Sequence, residues 1–397
     1  MKLTHIPVVI FFCLIQNSKS IFSINDTQQV NNTKNVLNAT ELILSKGLPA
    51  EEHYVTTNDG FVLGLQRIKR SSAAERYPIL ILHGLLASSD TFLLNSRHQS
   101  LPYVLHDAGF DVWLGNVRGN KYSRKHVSLN PNKDEFWKWS FDEMGEFDIP
   151  AIIDYIVNTT KMPKVNFVGH SQGCVAFFSG VIQNNYLNEK VDKFFALAPA
   201  AFLPNIKIPL KNLRHFITLL PTLDTSFEHG EILKSPDVLN KITGEICNIL
   251  NMCSNSMFML EGNRYSSNLN LSRISVYKAH EPSGTSLQNI KHWTQMVDQN
   301  KKKFGMRFYD NGYFGNYHKY KSFVTPKYNF EEFRVSTYIF CGTDDKVVTM
   351  KDCKTLSHNL PNVKQFYEVK GYNHFDFPYA FNAPTRFFNK ILKILLN

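Results

Sequence analysis

Short apolar runs alternate with stretches of helical spacing from residue 77 onward. The runs predict buried strands at 77–82, 110–114, 164–168, 193–198, 336–341 and 363–369. Helical spacing follows at 141–157, 172–184 and 380–396, and Ser140 with Glu143 forms a capping-box pattern before the first of these. Strand–helix alternation of this kind predicts an α/β fold, with a mostly parallel sheet flanked by helices on both faces.

The alternation stops between residues 202 and 327. This segment is helical in part, rich in Leu, Asn and Ser, and lacks runs typical of buried strands. We interpret it as a largely helical cap domain inserted between two strands of one core, which then comprises residues 45–201 and 328–397. A chain of 397 residues is long enough for this arrangement.

The first twenty residues have the pattern of a secretory signal peptide. Lys2 precedes the apolar run 6–15, which is shorter than the roughly 20 residues that span a bilayer. Ser18 and Ser20 are small residues at the −3 and −1 positions of a cleavage site after Ser20. No later stretch reaches spanning length, so we expect a secreted protein without a transmembrane span.

Five acceptor patterns for N-linked glycans agree with a secretory route. Three lie in the polar lead-in at 21–44 and two lie further along the chain; they are Asn25, Asn31, Asn38, Asn158 and Asn270.

The net charge is +10, from 44 basic and 34 acidic residues. A basic surface favours anionic lipid or nucleic acid. The dense basic run is confined to 301–303, however, and no nucleic-acid-binding motif accompanies it. We therefore expect a solvated basic surface and no nucleic-acid partner.

Residues 169–173 read Gly-His-Ser-Gln-Gly, the spacing of a nucleophile elbow. A serine on a tight strand-to-helix turn has a strained backbone, and side chains two positions away on either side would clash. The glycines at 169 and 173 remove those side chains. A predicted strand before the motif and a predicted helix after it supply the context that the motif requires, so Ser171 is the candidate nucleophile.

A serine hydroxyl needs a histidine base and a carboxylate that orients the base. In this kind of fold the chain order is Ser, acid, His. Asp344 and His374 each follow a predicted strand, at the edge where open α/β sheets bind ligands. We favour Asp344 as the acid, with the adjacent Asp345 as the alternative; Asp376 is too close in sequence to His374.

The oxyanion needs two backbone N–H donors. The segment His83-Gly84-Leu85 follows the first strand, so Leu85 and Gln172 are the expected pair. We expect His83 to shape this loop rather than to act as a base. The sequence shows no zinc-type spacing, phosphate-binding loop or dinucleotide fingerprint, and no cofactor is predicted.

Several longer segments, taken with the elbow, resemble the acid lipase family of gastric and lysosomal lipases; they are 51–63, 83–88, 111–120, 136–144 and 284–293. The resemblance covers residues 45–395. It implies an α/β-hydrolase fold, a strand hairpin at 51–63, a cap with a lid at 233–262, and action on carboxylic esters of long-chain acids. Matched motif by motif, it implies Ser171, Asp344 and His374 as the triad.

The chain departs from the family at its acidic segment. Family members usually read Gly-Gly-x-Asp-x-Leu-Ala-Asp there, whereas residues 341–348 read Cys-Gly-Thr-Asp-Asp-Lys-Val-Val. The choice between Asp344 and Asp345 therefore stays open on this comparison.

The cysteines also differ from the family pattern of three cap cysteines, two of them bonded. Cys247 and Cys253 are present, and Glu261 stands where the third is expected. The resemblance implies a Cys247–Cys253 disulfide. Cys174 is expected to be buried and free, and Cys341 with Cys353 is a weaker candidate pair.

We therefore predict a monomeric serine lipase that acts on lipid esters at an oil–water or membrane interface through an acyl-enzyme. The first alternative is a carboxylesterase for shorter or specialised esters, and the second is a catalytically silent lipid carrier. We expect an extracellular location, with the lysosomal lumen as the alternative.

Overall fold

The computed structural model describes residues 36–70, 76–207, 229–235, 266–300 and 305–397. Several predictions concern residues outside these ranges: the signal peptide, the glycan sites Asn25 and Asn31, the Cys247–Cys253 pair, and lid residues 236–262. Within the described ranges, no helix is both long enough and apolar enough to cross a bilayer.

An eight-stranded sheet forms the centre of the molecule, in the order β1-β2-β4-β3-β5-β6-β9-β10. The β1–β2 and β2–β4 pairs are antiparallel and the remaining pairs are parallel. Its strands are β1 Glu51–Thr56, β2 Val62–Ile68, β3 Ile79–Leu82, β4 Val112–Gly115, β5 Val165–His170, β6 Val191–Leu197, β9 Ser336–Gly342 and β10 Val363–Val369. A separate antiparallel pair consists of β7 Glu231–Ile232 and β8 Thr285–Ser286.

Helices cover the sheet and form much of the described part of residues 202–327. Those of six residues or more are α1 Ala39–Leu44, α2 Leu101–Asp107, α3 Ile149–Thr160, α4 Gln172–Gln183, α5 Ile274–His280, α6 Leu287–Asn300, α7 Gly312–Tyr320, α8 Met350–Asn359 and α9 Asn389–Leu396. Shorter helical pieces lie at Phe141–Glu143, Leu187–Lys190 and Asp376–Tyr379, and π-helical turns lie at Met144–Asp148 and Pro384–Phe388. Single 3₁₀ turns lie at Ser89–Phe92, Arg97–Gln99, Asp134–Trp137, Leu271–Arg273 and Phe330–Glu332.

Both faces of the sheet are buried at its central strands. Successive side chains of a strand point to opposite faces, and in β5 Phe167 joins one apolar cluster while Val168 joins the other. On the first face, the ring of Phe167 stacks on that of Phe177 in α4, with centroids 4.0 Å apart. Burial on both sides explains why β3, β4 and β5 read as continuous buried runs.

The predicted fold class is confirmed, and the predicted strands agree with the observed ones to within a few residues. Two predicted helices contain features that helical spacing does not reveal. The one beginning at Phe141 includes the π turn Met144–Asp148, where Gly145 lies so close to α4 that a Cβ would be 2.1 Å from the Ser179 hydroxyl. The C-terminal one contains the π turn Pro384–Phe388, and Ala380, its predicted first residue, instead forms a β-bridge with Leu269.

Candidate active site

Ser171 lies at the junction of β5 and α4, with φ 54° and ψ −116°. A positive φ is strained for a serine. The flanking glycines allow the turn: a Cβ on Gly173 would lie 2.6 Å from the Leu82 carbonyl oxygen, and one on Gly169 would lie 2.9 Å from the Cys174 nitrogen. The elbow is therefore packed against β3 and against its own helix at the two positions where the motif requires glycine.

Gly173→Ala should destabilise the fold by about 2–3 kcal/mol, because the added methyl meets the Leu82 and His83 carbonyl oxygens, which are backbone atoms with little room to move. The measurement is the free energy of unfolding by denaturant titration. Gly47→Ala is the matched control: φ is +71° there but nothing lies within 4 Å of the new Cβ, so only backbone strain of about 1 kcal/mol is expected. Equal losses in the two variants would contradict the packing argument.

His374 joins the serine to a carboxylate. Its Nε2 lies 2.8 Å from Ser171 Oγ, and its Nδ1 lies 2.9 Å from Asp345 Oδ2. All three side chains are buried. The second oxygen of Asp345 accepts the backbone N–H groups of Val347 and Val348, each at 2.8 Å, so the carboxylate is held in place from both sides.

The structure corrects the choice of acid: Asp344 is exposed and Asp345 contacts the histidine. The backbone N–H of Asp344 donates to the Tyr372 carbonyl, and its carboxylate accepts a hydrogen bond from the Thr343 hydroxyl at 2.9 Å. In the turn after β9, one residue further along the chain brings the side chain from solvent to the buried edge of the sheet. The prediction of Asp344 was therefore wrong, and the alternative, Asp345, occupies the position.

Asp376 stays apart from the triad, as expected. Its Oδ2 accepts the Asn373 N–H at 2.7 Å and hydrogen bonds from the side chains of Ser266 and Asn268. The bond to Asn373 fixes the turn 373–376, which contains His374.

His170 is a site residue that the sequence analysis missed. Its Nε2–H donates to the His374 carbonyl at 3.1 Å, and the two rings lie 5.0 Å apart. Burial, and then the nearby His374, lower the pKa of His170 well below its usual value. A neutral His170 thus supports the backbone that carries His374. The sequence motif does not indicate this role, because His170 occupies a position of the elbow at which any residue is allowed.

The loop after β3 lies against the nucleophile. A Cβ on Gly84 would be 3.2 Å from Ser171 Cβ, so the backbone that leads into Leu85 directly adjoins Ser171. His83 fixes this loop: its Nδ1–H donates to the Gly84 carbonyl at 2.8 Å, and its Nε2 accepts a hydrogen bond from Asn120 at 3.0 Å. Burial lowers the pKa of His83 to about 4.

Gln172 is the first residue of α4, and two side chains of α6 hold it in place. Its side-chain oxygen accepts the Asn289 amide at 2.8 Å and the Trp293 indole N–H at 2.6 Å. Both donors lie on α6, within the segment 284–293 that carried part of the family resemblance. The residue expected to supply an oxyanion donor is therefore fixed by contacts more than one hundred positions away in the sequence.

Cys341, in β9, is disulfide-bonded to Cys353, in α8. The sequence analysis ranked this pair below Cys247–Cys253, and the structure shows that it closes the loop containing Asp345. Cys174 is buried and free, and its thiol donates to the Gly169 carbonyl.

Three of the predicted glycan sites fall within the described ranges. Asn38 and Asn158 are exposed, and Asn270 is partly exposed. Asn38 caps α1 through its side-chain oxygen, which leaves the amide nitrogen outside that hydrogen bond. Glycosylation of these sites stays a prediction.

Comparison with known proteins decides the family. Residues 77–381 match the model of the alpha/beta hydrolase fold, and residues 39–96 match that of a partial alpha/beta-hydrolase lipase region. The chain is 36% identical over 373 residues to "Lysosomal acid lipase/cholesteryl ester hydrolase" of Macaca fascicularis, with 92% of each chain covered. It is 37% identical over 370 residues to "Gastric triacylglycerol lipase" of Mus musculus, covering 90% of this chain and 91% of the relative. The chain belongs to the acid lipase family.

Membership of the acid lipase family confirms the resemblance and makes the chain an enzyme of the lipase class. Among solved structures, an epoxide hydrolase from Vigna radiata superimposes with a TM-score of 0.52 at 14% identity, covering 87% of this chain and 98% of the other. At that identity the likeness shows the fold alone. In this acid lipase family member, the segment 284–293 positions Gln172, because it contains the two hydrogen-bond donors Asn289 and Trp293.

Proposed function

We propose that the protein hydrolyses long-chain acylglycerols, cholesteryl esters or both, through a Ser171–His374–Asp345 triad. The observation that carries the proposal is the continuous hydrogen-bonded chain from the strained serine through His374 to a buried carboxylate. The substrate class rests on the relatives, which are named as a cholesteryl ester hydrolase and a triacylglycerol lipase.

In this mechanism, His374 takes the proton from Ser171 Oγ as the oxygen attacks the ester carbonyl carbon. Asp345 accepts the Nδ1–H of His374, which keeps Nε2 free to act as the base and stabilises the imidazolium that forms. His374 then gives its proton to the departing alcohol. Water, activated by the same histidine, attacks the acyl-enzyme and releases the fatty acid.

The tetrahedral oxyanion is stabilised by the backbone N–H groups of Leu85 and Gln172. Support comes from the close approach of the Gly84 backbone to Ser171 and from the position of Gln172 at the start of α4. Donors at a helix N-terminus favour developing negative charge. The bonds from Asn289 and Trp293 hold the Gln172 side chain, so that the turn is ordered before substrate arrives.

We further propose that residues 202–327 form a cap over a core made of 45–201 and 328–397, with the lid at 233–262. An open pocket for fatty acyl chains would expose a large apolar surface to water, which a cap prevents. The burial of Ser171 and His374 supports this division, because a cap shields the residues beneath it from water. The described part of 202–327 adds no strand to the eight-stranded sheet.

The signal-peptide pattern and the gastric and lysosomal relatives support secretion, with the lysosomal lumen as the alternative. The partner is then a lipid ester presented at an oil–water or membrane interface, and we expect the enzyme to work as a monomer.

The test compares emulsified long-chain triacylglycerol and cholesteryl ester with a soluble short-chain ester, from pH 4 to pH 8. We expect the long-chain esters to be hydrolysed at least about tenfold faster, because each buried methylene adds about 0.8 kcal/mol of binding that an apolar site can use. Protein with a blocked nucleophile is the blank. Cleavage of the short ester alone would identify a carboxylesterase, and inactivity on every ester would identify a lipid carrier.

A further inference from the structure

Large apolar side chains are concentrated on the outer surface of α7 and the turn that follows it. This aromatic patch consists of Tyr313, Phe314, Tyr317, Phe323 and Val324, and Phe314 is 81% exposed. The Phe323 ring stacks on both tyrosines, with centroids 4.0 Å from Tyr313 and 4.8 Å from Tyr317. Phe314 packs edge-on against Tyr313 at 5.4 Å, so the four rings form one continuous surface, and Val324 follows Phe323 in the chain.

Exposed apolar residues elsewhere in the described chain are mostly isolated. Tyr54, Val127 and Tyr186, for example, lie in separate parts of the chain, and of the three only Tyr54 is in a strand or helix. Single exposed apolar residues are normal, whereas a contiguous patch indicates a surface that another phase or molecule covers. The aromatic patch is therefore the feature of this surface that needs a partner.

The patch is mounted on a fixed support. Asn316, on the inner side of α7, is buried; its amide donates to Asp310 at 2.8 Å and its oxygen accepts the Asn311 N–H at 2.9 Å. The Tyr320 hydroxyl donates to the Tyr309 carbonyl. Because the helix is held from within and the outer rings stack on one another, little conformational entropy remains to be lost on docking.

The segment that carries the patch is basic in sequence. Residues 311–330 contain Lys319, Lys321, Lys327 and His318 and no Asp or Glu. Lys319 is paired with Glu143 at 3.0 Å, while Lys321 and Lys327 are exposed. The acidic neighbours Asp310 and Glu143 are engaged by Asn316 and Lys319. Exposed lysines beside an apolar surface complement an anionic one, and each lysine near anionic lipid adds about 1 kcal/mol of attraction.

We propose that the aromatic patch is the site at which this enzyme docks on lipid surfaces that carry anionic phospholipid. Tyrosine and phenylalanine rings would enter the headgroup region, where a ring with a polar edge is favoured, and Lys321 and Lys327 would lie over the phosphates. The proposal rests on the proposed function for its choice of partner, because a lipase must reach substrate that is gathered in a separate phase.

The helix that carries the patch is linked to the active site indirectly, through Asp310 and α6. Gln295, on α6, donates to the Asp310 carbonyl at 2.9 Å and accepts the Asp310 N–H at 2.8 Å. Two residues earlier, Trp293 donates to Gln172. Docking through the patch would therefore fix the orientation of Ser171 relative to the lipid surface.

The experiment measures binding of the full-length protein to vesicles of phosphatidylcholine with one quarter phosphatidylglycerol, by flotation. Phe314→Ser should weaken partitioning by about tenfold, the effect of removing one ring from the lipid. Tyr54→Ser is the matched control, because Tyr54 is also exposed, at 61%, but lies in β1 away from the patch, and it should bind within about twofold of the wild type.

The lysines are tested separately. Lys321→Gln combined with Lys327→Gln should weaken binding by about tenfold or more at low salt, and the difference should disappear in vesicles of phosphatidylcholine alone or at about 0.5 M salt. A loss that is equal in all three conditions would contradict the charge argument.

Activity on a soluble short-chain ester separates this proposal from the proposed function. Phe314→Ser should leave that activity unchanged while it lowers hydrolysis of the emulsified ester. Equal vesicle binding by Phe314→Ser and Tyr54→Ser would overturn the docking proposal even if the enzyme is active. If sedimentation shows a wild-type dimer that Phe314→Ser converts to a monomer, the partner is a second copy of the chain and the lipid proposal is wrong.

Discussion

Asp345→Asn should lower kcat by about four orders of magnitude with little change in KM. The carboxylate contacts His374 with one oxygen and the N–H groups of Val347 and Val348 with the other. An asparagine would keep its oxygen toward those two donors and turn its NH₂ group toward Nδ1 of the histidine. His374 would then carry its proton on Nε2, where it cannot accept one from Ser171.

Asp344→Asn is the matched control for this prediction. Asp344 is adjacent in sequence and exposed, and its carboxylate accepts a hydrogen bond from the Thr343 hydroxyl, so kcat should stay within about twofold of the wild type. The measurement is steady-state hydrolysis of a soluble ester by both variants. A large loss in Asp344→Asn with a small one in Asp345→Asn would return the acid role to Asp344.

Ser171→Ala should lower kcat by about 10⁵-fold to 10⁶-fold, because it removes the atom that forms the acyl bond. A reactive fluorophosphonate provides a readout independent of turnover. It should label the wild type at one serine and leave Ser171→Ala unlabelled.

Ser179→Ala controls for general effects of serine removal on the same helix. Ser179 is buried in α4, with its hydroxyl 2.9 Å from that of Tyr328, so its loss affects stability rather than labelling. Labelling of Ser171→Ala at the wild-type rate would show that another residue is the nucleophile.

The nucleophile and the base of the candidate site could be predicted from the sequence, because their motifs depend on residues that are adjacent in the chain. The elbow needs only a strand, five residues and a helix, all adjacent in sequence, and the serine and histidine candidates follow from the order of strands. The choice between Asp344 and Asp345 could not be made this way. Both follow the same strand, and the path of the turn, set by the bond from the Asp344 N–H to the Tyr372 carbonyl, determines which one faces His374.

Contacts between distant segments were the least predictable. Gln172 and Trp293 are 121 positions apart, and nothing in the local pattern of either indicates that they meet. The same holds for His170, whose bond to the His374 backbone depends on how the ends of β5 and β10 lie in the sheet. The family resemblance included the segment around Trp293, but only the structure shows that its side chains hydrogen-bond to Gln172.

The bond between Cys341 and Cys353 has a consequence for where this enzyme can mature. It closes a loop of 12 positions that contains Asp345, and a cross-link of that span stabilises the fold by roughly 3 kcal/mol in the chain-entropy model, because it restricts the unfolded chain. The glutathione pool of the cytosol keeps thiols reduced, whereas the endoplasmic reticulum oxidises them. The cross-link that closes the loop of Asp345 thus forms on passage through an oxidising compartment, and in protein made in a reducing one non-covalent contacts alone would hold that loop to α8.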